Sequence, residues 1–167
     1  FRDALHKNKP LIIPGTINAY SAKLAEKSGH RAIYLSGSGV AAASYGLPDL
    51  GVTTMQDVLI DVKRITSATS LPLLVDIDTG WGESDQIAET IIEMGKAGCA
   101  AVHIEDQVFD KRCGHRPNKK LVTIEEMRSR LRVAINSKVD DSFFVMARTD
   151  AIASEGIDVA IKRCESY

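Results

Sequence analysis

The sequence predicts an α/β protein built on a parallel sheet, and within that class a (β/α)8 barrel of the TIM type. Apolar strand-like runs alternate with amphipathic helix-like stretches along the chain, which is the pattern of repeated βαβ units. The runs are almost continuously apolar, as expected of strands covered on both faces. Polar residues collect at the carboxyl ends of the second to fifth runs, where barrel enzymes place their sites. An open doubly wound sheet is the alternative, but no GxGxxG turn follows the first strand to favour its dinucleotide-binding form.

Five strands are predicted, each from a short apolar run that ends in glycine or a polar residue. They cover residues 11–15, 32–37, 71–78, 100–105 and 143–148. A full barrel needs about 250 residues, and these 167 residues supply five units of eight. We therefore expect residues 1–167 to form the amino-terminal part of one barrel domain, with the remaining strands outside this sequence.

Five helices are predicted where apolar residues recur at helical spacing. They cover residues 20–28, 54–68, 84–97 and 123–137, and a last one runs from about residue 156 onward. In the second of these, the apolar positions are Val58, Ile60, Val62 and Ile65, and Thr53 or Thr54 is the expected N-cap. The Gly- and Ala-rich segment that follows the second strand is predicted as a loop.

Composition narrows the function classes. The chain carries 21 basic and 22 acidic residues, and the basic residues are dispersed, so no stripe for binding nucleic acid is expected. No apolar stretch reaches the roughly 20 residues that cross a bilayer, and no leader precedes the first strand. Three unevenly spaced cysteines indicate a reduced, cytoplasmic protein, and no CxxC or HxxxH pair suggests zinc.

The LVDID segment points to a cation site. Because side chains alternate along a strand, Asp76 and Asp78 should share a face, and adjacent carboxylates repel unless a proton or cation lies between them. Magnesium suits such oxygen ligands, with manganese as a possible substitute. Asp49, Glu105 and Asp106 are expected to hold its waters. The alternative is that these acids are solvated loop residues or helix N-caps.

Two other strand ends suggest substrate contacts. Tyr34 and Ser36 share a face of the second strand, and the amides of the following Gly37, Ser38 and Gly39 could bind an oxyanion, although a tight turn explains the glycines equally well. Arg148 ends the fifth strand beside Asp150. It could bind a substrate carboxylate or form only an ion pair.

The loop at 109–120 contains a cysteine among cations. Cys113 lies between Lys111, Arg112 and His115, whose charges would favour the reactive thiolate, whereas Cys99 lies among aliphatic residues. We predict Cys113 and His115 as catalytic. His103 lies in mid-strand and is predicted to be a core histidine whose ring nitrogens have hydrogen-bond partners.

Six motifs resemble the isocitrate lyase and phosphoenolpyruvate mutase superfamily: YLSGSG, GLPDLG, LVDIDTGWG, HIEDQ, KRCGHRPNK and MARTD, in this order. The cysteine loop resembles the methylisocitrate lyase branch most closely. The resemblance implies a (β/α)8 barrel that assembles as a homotetramer and a magnesium-dependent cleavage of 2-methylisocitrate, a tricarboxylate, to pyruvate and succinate in propionate catabolism.

The resemblance also implies roles for individual residues, matched by motif position. Those roles are metal binding by Asp76 and Asp78, metal binding through water by Asp49 and Glu105, substrate binding by Ser36, Gly37, Ser38, Cys113, Gly114 and Arg148, and catalysis by Cys113 with Tyr34 near the hydroxyl that loses its proton. Ser38 and Trp81 depart from the residues usual in the family, and neither change removes a catalytic group.

Two other functions remain open. An isocitrate lyase, which acts on a substrate that lacks one methyl group, would release glyoxylate and succinate, and one methyl group discriminates by only about 1–3 kcal/mol. From a different class, the chain could be a non-catalytic half-barrel that only associates with other subunits.

Overall fold

A parallel sheet of four strands runs through the computed structural model, which describes all residues from Phe1 to Tyr167. The strands are β1 (Ile33–Leu35), β2 (Leu73–Asp76), β3 (Ala101–Glu105) and β4 (Phe144–Arg148), and they lie side by side in chain order. In the wall of a barrel the strands lie in chain order without reversal, whereas in a doubly wound sheet the strand order reverses at a switch point. The predicted α/β class with a parallel sheet is confirmed.

Eight helices connect and cover these strands. They are α1 (Arg2–Lys7), α2 (Ala19–Lys27), α3 (Gly37–Tyr45), α4 (Met55–Thr66), α5 (Ser84–Lys96), α6 (Ile124–Asn136), α7 (Ile152–Glu155) and α8 (Ile157–Ser166). Four of them begin at a residue whose side chain accepts a backbone N–H, namely Asn18, Ser36, Thr54 and Thr123. No helix has the length and apolar character needed to cross a membrane.

The apolar core lies between the sheet and the helices. Val75 and Val102 extend from the strands, and Val62, Ile91 and Leu131 pack toward them from α4, α5 and α6. The helices cover one side of the sheet. Because side chains alternate along a strand, the strand residues next to those of the core point to the other side. That side and the carboxyl ends of the strands carry the polar residues described below.

The first predicted strand is reduced to a single bridge in the structure. Residues 11–15 make only one parallel bridge, between Gly15 and Tyr34, although this bridge keeps the predicted place beside β1. Its two hydrogen bonds run from Tyr34 N to Pro14 O (3.0 Å) and from Thr16 N to Tyr34 O (2.7 Å). Pro10 and Pro14 have no N–H to donate, so a longer ladder cannot form through them.

The loop predicted after the second strand is also wrong, since α3 occupies most of it. Ser36 caps this helix through a hydrogen bond from Gly39 N to its Oγ (3.3 Å), and Gly46 ends it with a left-handed φ of 65°. The intervening alanines have the highest helix propensity, which outweighs the two glycines of the first turn.

Candidate active site

The carboxylates of Asp76 and Asp78 lie together at the carboxyl end of β2. Each residue is 5% exposed. A Cβ placed on Gly37 would lie 3.5 Å from Asp76 Oδ2 and 3.4 Å from Asp78 Oδ1, so both carboxylates point toward the start of α3. Burial and the adjacent charge of Asp76 raise the pKa of Asp78 to about 6. This paired geometry excludes the alternative in which the two acids are solvated loop residues.

Lys111 joins this acid pair to the loop that carries Cys113. Its Nζ lies 2.6 Å from Asp49 Oδ1 and 2.7 Å from Asp78 Oδ1. Burial disfavours the charged form of Lys111 and by itself would lower its pKa. The charge of Asp78 and the hydrogen bond to Asp49 outweigh this effect and hold the pKa of Lys111 above the ordinary value. The ion pair with Lys111 is thus the contact that compensates the buried charge of Asp78 Oδ1.

Glu105 and Arg148 face each other on neighbouring strands because they are partners in the register of β3 and β4. Arg148 Nη2 lies 3.1 Å from Glu105 Oε2 and 3.2 Å from Asp150 Oδ2. Glu105 is 1% exposed, and burial raises its pKa to about 8 although Arg148 opposes this effect. The side chain of Arg148 stays 31% exposed, so it forms ion pairs and still reaches the solvent side of the site.

Tyr34 and His103 complete the site on the β1 side. Tyr34 Oη lies 3.0 Å from His103 Nε2 and 3.3 Å from Asp76 Oδ2, and the two rings stack. Burial, followed by the charge of Asp76, raises the pKa of Tyr34. His103 is buried as predicted, but only one of its ring nitrogens is satisfied, since Nδ1 has no hydrogen-bond partner and lies 3.7 Å from Asp76 Oδ1.

The Cys113 loop closes over these groups. Cys113 is partly buried, and its Sγ lies 3.9 Å from His115 Nδ1. Gly114 packs so closely on the guanidinium of Arg148 that an added Cβ would overlap Nη2, and Lys119 Nζ hydrogen-bonds to Gly114 O. Of the predicted cationic neighbours of Cys113, Lys111 is engaged with the carboxylates of Asp49 and Asp78, and His115 lies beside the sulfur.

The expected oxyanion site fails for two of its three backbone amides. The amides of Gly37 and Gly39 are not open to an oxyanion, because the first donates to Asp76 Oδ2 (3.3 Å) and the second to Ser36 Oγ. Ser36 Oγ and Ser38 Oγ lie 2.7 Å apart and remain the polar groups of this turn.

Asp106 does not join the cation site. It is fully buried and accepts hydrogen bonds from Thr149 Oγ1 (2.6 Å), Asp150 N (3.0 Å) and Tyr167 Oη (2.8 Å). Being one residue beyond Glu105, it points to the opposite side of the strand. Its role is to hold the β4 end and α8 in place.

The chemistry of the site fits a hard divalent cation. Its charged donors near Asp76 are carboxylate oxygens, which magnesium prefers, and the ammonium of Lys111, 2.7 Å from Asp78 Oδ1, already places a positive charge beside them. No three acidic, cysteine or histidine side chains are close enough to enclose an ion alone.

Sequence comparison matches all of residues 1–167 to the phosphoenolpyruvate phosphomutase family. The 2-methylisocitrate lyase of Shewanella oneidensis is 62% identical over 167 residues, which are 100% of this chain and 57% of that protein. The chain thus spans a little over half the length of the curated relatives it matches.

Solved structures agree with this assignment. The crystal structure of a 2,3-dimethylmalate lyase, a member of the same superfamily, superposes with a TM-score of 0.91 at 35% identity over 99% of this chain and 56% of that one. A phosphonopyruvate hydrolase crystallised with oxalate and Mg²⁺ superposes with a TM-score of 0.82 at 34% identity, over 93% of this chain and 53% of that one. The chain belongs to the phosphoenolpyruvate phosphomutase family.

Proposed function

We propose that the full-length protein is a carbon–carbon lyase that cleaves 2-methylisocitrate to pyruvate and succinate. The observation that carries this proposal is the contact of Lys111 with Asp49 and Asp78, because it brings the Cys113 loop over the acid pair. The 62% identity to a 2-methylisocitrate lyase supports the choice of substrate. In this proposal residues 1–167 are the first part of one barrel domain, and the complete protein is a homotetramer.

A divalent cation, Mg²⁺ or in its place Mn²⁺, would be held by Asp76 and Asp78, with Asp49 and Glu105 acting through water. When bound, it supplies positive charge that stabilises negative charge developing on the substrate. The related phosphonopyruvate hydrolase crystallised with Mg²⁺ supports this assignment. Asp78 and Glu105 are buried and have raised pKa values. This also supports a cation at the site, since a cation relieves the repulsion among these acids.

Substrate carboxylates would bind beside Arg148 and the turn at Ser36, Gly37 and Ser38. The guanidinium of Arg148 is partly exposed, and its planar fork suits a carboxylate. The hydroxyls of Ser36 and Ser38 can donate to a second carboxylate oxygen. Gly114 lies directly against Arg148, where only a residue without a side chain fits, and would contact the substrate through its backbone.

Tyr34 acts on the substrate hydroxyl in this proposal. Its raised pKa keeps the phenol protonated, so it can accept the hydroxyl proton only by passing its own proton onward. His103 Nε2, 3.0 Å away, is the nearest acceptor. As the proton leaves, the carbon–carbon bond breaks, the hydroxyl carbon becomes the carbonyl of pyruvate, and the bonding electron pair moves to the succinate carbon.

Cys113 then protonates the succinate carbanion from its thiol. A proton donor must start as the thiol rather than the thiolate, and this is consistent with Lys111 being engaged with carboxylates instead of with the sulfur. His115, whose Nδ1 is 3.9 Å from Sγ, can return a proton to the sulfur after turnover.

The test is a product assay on the full-length protein with Mg²⁺. We expect pyruvate and succinate from 2-methylisocitrate and little product from isocitrate or 2,3-dimethylmalate. Faster release of glyoxylate from isocitrate would instead identify an isocitrate lyase, and absence of turnover on every substrate would favour the non-catalytic alternative.

The Cys113→Ser variant separates chemistry from binding. Serine is a much weaker acid, so we expect kcat to fall by about 100-fold or more while substrate binding, measured by calorimetry, is retained. Cys164→Ser is the control, because Cys164 is exposed on α8 and should be dispensable. Most of the turnover remaining in Cys113→Ser would disprove the proton-donor role.

A further inference from the structure

Gln107 makes an unusual set of contacts at the base of the Cys113 loop. It is 1% exposed and pairs with Leu121 in an isolated antiparallel bridge, so it lies where the loop leaves β3 and returns. Its Nε2 donates to Arg112 O (2.8 Å), and its Oε1 accepts from Arg112 N (3.1 Å). The side-chain amide thus binds both backbone groups of the residue next to Cys113, as a neighbouring strand would.

The same side chain also contacts the acid cluster. Gln107 Nε2 donates to Glu105 Oε1 at 2.9 Å and lies 3.4 Å from Asp150 Oδ2. An amide nitrogen has two hydrogens, so the two shorter contacts, to Arg112 O and Glu105 Oε1, use both of them. One buried side chain therefore connects the backbone beside Cys113 to the acid at the end of β3.

The other loop anchors differ from this one. Lys111 holds the loop through Asp49 and Asp78, two residues that the proposed cation would also use. Lys119 reaches Gly114 O and lies 3.6 Å from Asp150 Oδ1. Gln107 is uncharged and holds the loop through the backbone N–H and C=O of Arg112, so this contact itself uses none of the acids assigned to the cation.

We propose that Gln107 is a positioning residue that fixes the Cys113 loop relative to Glu105 and thereby sets where the Cys113 thiol is presented to the substrate. This inference rests on the proposed function for its effect on turnover, but the loop geometry that it requires can be tested separately.

The first measurement is amide hydrogen exchange in the wild-type full-length protein. Arg112 N donates to Gln107, whereas the amides of Cys113 and Gly114 make no backbone hydrogen bond. The Arg112 amide should therefore exchange about tenfold or more slowly than its two neighbours. Equal exchange of the three amides would overturn the proposal whatever the activity of the protein.

Two variants test the consequence. Gln107→Glu keeps the size and the acceptor for Arg112 N but loses both donated hydrogen bonds and faces Glu105 with a second carboxyl, and Gln107→Met removes all the contacts. We expect about tenfold faster exchange in the loop, a decrease in kcat of about 10- to 100-fold and a small change in KM.

Gln56→Met is the matched control, because Gln56 is exposed on α4. A loop that exchanges at the wild-type rate in both folded variants would overturn the proposal. If the protein proves to lack lyase turnover, the proposed function fails, while the exchange of Arg112 still decides whether Gln107 anchors the loop.

Discussion

At the scale of single residues, protons and a cation compete for the same carboxylates. The pKa of Asp78 is raised to about 6, and that of Glu105 to about 8, mainly because both are buried. Below these values the groups carry protons that a cation must displace, so Mg²⁺ affinity should increase as the pH rises from 6 to 8, by up to about tenfold per unit for each proton released.

Calorimetric titration of the full-length protein with Mg²⁺ at several pH values measures this dependence. Titrations in buffers of different ionisation enthalpy should also detect released protons. Asp78→Asn is the control, since an amide cannot be titrated and would reduce both affinity and its pH dependence. A pH-independent affinity across this window would show that the two acids are already ionised.

Gly114 illustrates a steric requirement at one position. An added Cβ would overlap Arg148 Nη2 and lie 3.1 Å from Asp150 Oδ1. Gly114→Ala should therefore displace either the loop or Arg148 and lower kcat/KM by about 100-fold. In Gly15→Ala, where no atom lies within 4 Å of the new Cβ, activity should change little. Similar activities of the two variants would contradict this argument.

Alternation along strands predicted part of the site and could have predicted more. It predicts Asp76 and Asp78 side by side, and both carboxylates do lie near Gly37, although β2 ends at Asp76 and Asp78 follows in a turn with a φ of 47°. The same alternation puts His103 on the face of Glu105 and puts Asp106 on the opposite face, a signal that the interpretation of His103 as a core residue overlooked. The contacts of Lys111 with Asp49 and Asp78 join residues far apart in sequence, and no local pattern specifies them.

At the scale of elements, the N-cap of α4 is open to test. Thr54 Oγ1 accepts from Asp57 N (3.3 Å), and Asp57 Oδ2 accepts from Thr54 N (2.8 Å), which is a capping box. Thr54→Ala should lower the free energy of unfolding by about 1 kcal/mol, while Thr54→Ser should retain most of the stability. Urea denaturation measures both, and an unchanged midpoint in Thr54→Ala would contradict the capping role.

Local patterns predicted most of the elements but not all of their limits. The helix that became α4 was predicted from its cap and apolar spacing, and its observed span, Met55–Thr66, lies within the predicted 54–68. By contrast, α3 is not predicted, because Gly37 and Gly39 suggest a loop. Whether its alanines form a helix depends on the cap at Ser36 and on packing against α4. The helix propensity of the alanines therefore acts together with the cap and with tertiary contacts, which the local sequence does not show.

At the scale of the whole molecule, the sheet has an open edge. The strand β4 lies last in the order β1-β2-β3-β4, and no strand pairs with its outer side. Its residues are only partly buried, and Ala147 is exposed. The accessible surface is 8935 Å², compared with about 8,100 Å² expected for a compact monomer of 18.1 kDa, so the surface is larger than that of a closed fold.

A polypeptide of residues 1–167 alone should therefore associate through this edge. Unpaired backbone N–H and C=O groups on a partly apolar strand form a template for pairing with another chain, and a charge on the edge blocks it. Sedimentation velocity should detect species larger than 18.1 kDa, and Ala147→Lys should shift them toward the monomer because the lysine opposes close approach of a second strand.

The full-length protein, whose further strands would cover β4, should not respond to this substitution by changing its assembly. A monodisperse 18.1 kDa species from the short polypeptide would mean that the edge is protected by other means, and the half-barrel alternative that acts only through association would then lose its physical basis.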